Sequence, residues 1–174
     1  LMTPVNRSSL LFGKWLTMVI VATLTGIFTL AVVFVEIQFF TVELKAGIHL
    51  GNQVVLIVIM SLFVVISFSA FMASALMLTS IMAKTVKEAQ SYATPINMVA
   101  VVPAMFVMNL GLNELSNGHF LIPIMNIFTI FKELFLGVVS FEHIFMTIGV
   151  NIVAALVLFL VGRVMFMKDK WVLA

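Results

Sequence analysis

The sequence predicts an all-α integral membrane protein, with four transmembrane helices and a re-entrant helical segment before the last. Three observations carry that class. The chain is 63% apolar and only 9% charged, whereas soluble domains carry about 25% charged residues. Two runs without Lys, Arg, Asp or Glu, 38 residues from Ala46 to Ala83 and 25 from Ala89 to Asn113, sit on either side of a polar stretch beginning at Lys84. Each exceeds the ~20 apolar residues that cross ~30 Å of hydrocarbon as a helix. Lys and Arg are also distributed unevenly between the ends of the runs, as an oriented membrane protein requires.

Residues 1–14 are short, mixed and cationic, with Arg7 and Lys14 as their charges. Thr3 and Pro4 suit an N-cap and first helical position. Val5, Leu10, Leu11 and Phe12 could lie along the interface, so the segment reads as a cytoplasmic turn or interfacial helix. Span one covers about 15–40, opening on Trp15 at headgroup depth. Its first charge after Lys14 is Glu36, about 31 Å along the helix axis. That depth favours an interfacial carboxylate over an ion ligand within the membrane.

Glu43, Lys45, Gly47, His49 and Gly51 make the following connection polar. Span two covers about 54–83, and Ser67, Ala70 and Ser74 fall on one face of it, small enough for another helix to approach closely. The polar stretch Lys84–Pro95 then reads as a loop, with Pro95 opening span three at about 95–112. That span carries Asn97, Pro103 and Asn109. Intramembrane amides need partners.

From Phe120 to Phe131 the apolar run is only 12 residues, contains Pro123 and Asn126, and ends at Lys132 and Glu133. Runs of 10–14 are more often re-entrant or interfacial than spanning. The segment 120–138 is therefore expected to enter from the outer face and return there. Span four covers about 144–167, with Arg163 able to extend its head toward the interface.

Counting basic residues selects this topology. Arg7, Lys14, Lys84, Lys87, Arg163, Lys168 and Lys170 share one side, leaving Lys45 and Lys132 on the other. Seven against two places the chain in a cell membrane as a multi-pass protein with both termini cytoplasmic.

The sequence carries no catalytic signature: no His-Glu-x-x-His, Gly-x-Ser-x-Gly or Gly-x-Gly-x-x-Gly. Zero cysteines remove thiolate chemistry and Cys-ligated metals. A small, dispersed net charge of +2 gives nucleic acid no surface to bind. The three histidines, set far apart beside the outer connections, read as solvated. No enzyme activity, metal or cofactor is expected.

Three stretches resemble type-2 ABC exporter permeases, in the NatB-like branch linked to sodium efflux. They are TPVNR at Thr3–Arg7 with LLFGK at Leu10–Lys14; KEAQSYATP at Lys87–Pro95 with VPAM at Val102–Met105; and IPIMN at Ile122–Asn126 with KEL at Lys132–Leu134 and Gly137. The resemblance covers essentially all of the chain and implies the C-terminal part of a six-helix membrane domain, helices three to six. It implies an ABC ATPase subunit docking at Pro4, Arg7 and Lys14, and a second permease subunit completing a pathway. Asn97, Asn109 and Asn126 are its candidate polar contacts, although helix–helix hydrogen bonding would use them equally well. Pro123, Lys132 and Glu133 belong to the outer re-entrant segment. A secondary transporter, a channel subunit or a non-transporting scaffold would be the alternative. The first two tend to place ionisable groups at the bilayer midplane, and none stands near the middle of the four spans.

Overall fold

The computed structural model describes residues 7–39 and 53–167, and every regular element among them is helical. In chain order these are α1 (Arg7–Phe39), α2 (Val54–Met82), α3 (Val86–Asn109), a 3-10 turn (Leu112–Glu114), α4 (Asn117–Leu121), α5 (Met125–Phe135) and α6 (Phe141–Met167). Among the described residues α1, α2, α3 and α6 are long and apolar enough to cross a membrane. The all-α membrane class is therefore what the structure shows.

α2 lies at the centre. Its most extensive interface is with α6 and the next is with α1. Lipid tails are as apolar as leucine, so packing rather than hydrophobic drive must bring such helices together, and small residues permit the approach. Gly26 of α1 meets Val65 so closely that a Cβ there would stand 2.5 Å from Val65 Cγ1. A Cβ on Gly162 of α6 would stand 2.6 Å from Met77 Cε. The small-residue face of α2 is divided between neighbours: Ser74 Oγ accepts from Trp15 Nε1 of α1 at 2.8 Å, while Ser67 Oγ accepts from Asn151 Nδ2 of α6 at 3.5 Å.

These contacts fix direction. Lys14, early in α1, donates to Ser80, late in α2, at 2.8 Å, so α1 and α2 are antiparallel. Ser67 meets Asn151 and Met77 meets Gly162, so α2 and α6 run parallel. Ser8 lies 4.0 Å from Met167, bringing the start of α1 to the end of α6. Lys14, Lys84, Lys87 and Arg163 thus gather toward one end, and Lys132 lies toward the other.

Several boundaries differ from the sequence reading. α1 does not wait for Trp15: residues 7–14 are already helical and continuous with the span. Lys84–Pro95 is not a loop, because α3 begins at Val86 and Pro95 lies well inside it. The cause is a local cap stronger than the proline signal. Thr85 Oγ1 accepts from Glu88 N at 3.2 Å, and Glu88 Oε2 accepts from Lys84 N at 2.8 Å. The first contact satisfies an orphan donor of the first turn, and the second ties the residue before the cap to that turn. The last span opens at Phe141 rather than Ile144. The connection with Gly47, His49 and Gly51 lies outside the described residues.

Candidate functional site

The residues between α3 and α6 form a broken helical hairpin. α4 stops at Leu121; Ile122, Pro123 and Ile124 intervene; α5 then begins at Met125. Proline supplies no backbone donor, and Ile124 sits at φ 73, an outlying conformation for a β-branched side chain. Ile124 lies beside Phe71, Met72 and Ala75 of α2 and Pro95, Ile96 and Val99 of α3, within the length of both spans. Both arms return to the end where α3 finishes and α6 starts.

Asn126, one residue into α5, is fully buried and joins three elements. Its Nδ2 donates to Asn151 Oδ1 of α6 at 2.9 Å, and Asn151 Nδ2 approaches Ser67 Oγ of α2 at 3.5 Å. Ser67 in turn donates to Val64 O at 2.8 Å. Asn126 Oδ1, Ser61 Oγ and Thr147 Oγ1 are buried without hydrogen-bond partners. All these groups are neutral, and Asn126 lies in the first turn of α5, where the helix dipole is positive. The arrangement suits hydrogen bonding between helices better than it suits a bare cation.

At the C-terminal end of α5, consecutive residues hold different spans. Lys132 Nζ donates to Val107 O at 2.8 Å, to Met108 O at 3.3 Å and to Leu110 O, covering the carbonyl end of α3. A cation there also complements the helix dipole. Glu133 is buried, and His143 Nδ1 of α6 lies 2.9 and 3.0 Å from its two carboxylate oxygens. His143 Nε2 is 3.3 Å from Asn117 Oδ1, and the ring stacks on Phe120 with centroids 4.0 Å apart. His143 is thus a half-buried structural partner, not the solvated side chain its sequence position suggested. Among the described residues no group of three or more His, Asp or Glu side chains could hold a metal ion.

The model describing ABC-2 family transporter proteins matches residues 1–171. The chain belongs to the ABC-2 transporter family. It is also 36% identical over 174 residues to the ABC transporter permease protein NatB of Bacillus subtilis (strain 168). That match covers 99% of this chain and 45% of NatB, so the chain spans less than half the length of that relative. No solved structure matches it.

Within this ABC-2 chain the expected site residues are dispersed. Pro4 lies outside the described residues, and Arg7 is the first residue of α1. Lys14 is exposed and bound to Ser80. Asn97 and Asn109 are exposed on α3, where Asn109 Nδ2 donates back to Met105 O at 2.8 Å. Asn126 alone of the three amides enters the bundle. Sequence reasoning missed Asn151, although a single amide in the uncharged run of span four carried the same signal as the others. It also missed the Glu133–His143 contact, which unites residues ten positions apart across the turn between α5 and α6.

Proposed function

We propose that this chain is the membrane-embedded permease part of an ATP-driven ABC-2 exporter, moving sodium or another small solute out of the cell. The family match along nearly the whole chain carries the reading, and the permease name of the Bacillus relative supports it. On this reading the basic end is cytoplasmic and receives a separate ATPase subunit. Arg7 and Lys14 lie early in α1, Pro4 precedes them in sequence, and the hydrogen bond from Lys14 to Ser80 steadies that charge beside the end of α2. A second permease copy or homologue would face α3, whose side chains are largely exposed and include Asn97 and Asn109. ATP binding would rock the two halves, and the hairpin would close the outer side. Hydrolysis would belong to the partner, since this chain supplies no nucleotide-binding loop.

The test is reconstitution of the transporter with its ATPase subunit in sealed vesicles. ATP-dependent movement of radioactive sodium is the expected outcome. Movement of a different solute would redirect the substrate, and flux indifferent to ATP would remove the exporter reading. Arg7→Glu should weaken docking by about 1–3 kcal/mol if the charge enters the interface. Unchanged ATPase co-purification and unchanged coupled hydrolysis would take Arg7 out of the contact.

A further inference from the structure

Near the basic end, one face of α6 borders a groove of about 460 Å³, and its described wall consists of Leu160, Arg163, Val164 and Met167. These positions follow helical spacing, so they form a continuous strip along the axis. Gly162 packs against Met77, Leu78 and Ile81 of α2 on a different face. Arg163 is exposed, and no hydrogen bond or ion pair holds it among the described residues. It stands four residues before the end of α6, roughly 6 Å along the axis. Leu160 lies further from that end along the axis and Met167 at it, both exposed.

An arginine within a membrane-crossing helix needs an acceptor, because its five donors are costly to leave in hydrocarbon. Lys14 has found Ser80; among the described residues Arg163 has no such group. We propose that this strip is a binding site for one anionic phospholipid of the leaflet at the basic end. The phosphate accepts a forked pair of hydrogen bonds from the Arg163 guanidinium, a geometry that arginine provides and lysine does not. One acyl chain runs inward past Leu160 and Val164. Charge complementarity selects the occupant: the groove is apolar along its length and cationic near its mouth, with Lys14, Lys84 and Lys87 at the same end. A zwitterionic lipid would fill the apolar part equally well but would gain less from the surrounding positive field. This inference does not depend on what the protein transports.

The test is native mass spectrometry of the purified protein after exchange into mixed phosphatidylglycerol and phosphatidylcholine, counting retained lipids. Arg163→Gln should lower phosphatidylglycerol retention about fivefold and leave phosphatidylcholine nearly unchanged. Arg163→Lys should fall between, keeping the charge and losing the fork. Leu160→Trp, which blocks the groove without touching the charge, should lower retention of both lipids and serves as the independent variant if Arg163→Gln does not fold. Phosphatidylglycerol retention unchanged in Arg163→Gln, or equal loss of both lipids, would overturn the assignment. So would loss of a bound protein partner with lipid retention intact, which would make Arg163 a protein contact instead.

Discussion

Asn126 is where a single side chain decides most. Its amide, Asn151 and Ser67 form one chain of contacts across α5, α6 and α2. Asn126→Leu should destabilise the bundle by about 0.5–2 kcal/mol, since it strands Asn151 Oδ1 and membrane hydrogen bonds are individually modest. Adding Asn151→Leu should recover much of that loss. A double-mutant cycle on thermal unfolding in detergent measures the coupling, and strictly additive losses would show that the contact contributes nothing. Lys132 offers the contrasting case, a charge held by backbone. Lys132→Leu should free the carbonyl end of α3 while leaving the Glu133–His143 contact in place. Spin-label distances between Met108→Cys and a cysteine on α6 should then broaden; an unchanged distribution would make Lys132 dispensable to that joint. None of these pairings follows from spacing alone. A lone Asn in an apolar run announces that it needs a partner, yet the partner is set by the fold.

The helices themselves were more legible, because length and hydropathy are local quantities. Their ends were less so. Pro95 reads as a helix start, and a proline does suit that position. Thr85 and Glu88, three residues apart, already held the competing signal, and the structure follows the cap. The hairpin was visible as a short apolar run with an internal proline, but the positive-φ turn at Ile124 was not. Close helix crossings were equally hidden. Gly26 lies in an unremarked part of span one, and its role emerges only where α1 meets Val65. Gly26→Val should therefore force α1 away from α2, at a cost of about 1–3 kcal/mol typical of overpacking. Gly13→Ala should be tolerated, because nothing lies within 4 Å of the added carbon. Comparison of the two melting curves checks both expectations, and equal behaviour would deny the close crossing.

For the whole molecule, orientation is the open quantity that a cysteine-free chain makes easy to measure. On the proposed topology Ser91 faces the cytoplasm and Asn117 the exterior, and both are exposed. In intact cells an impermeant maleimide should label Asn117→Cys and spare Ser91→Cys until the membrane is opened. The reverse pattern would invert the protein and move the proposed ATPase contact to the wrong side. Finally, the parallel pairing of α2 with α6 has a consequence for biogenesis. Among the described helices the most extensive interface joins α2 with α6, which follows it in the chain only after α3 and the hairpin. While the ribosome is still producing residues 83–140, the face of α2 bearing Ser67 and Met77 has yet to meet Asn151 and Gly162. Nascent chains stalled before Phe141 should thus remain cross-linkable to the insertion machinery through α2, and release should coincide with the emergence of α6.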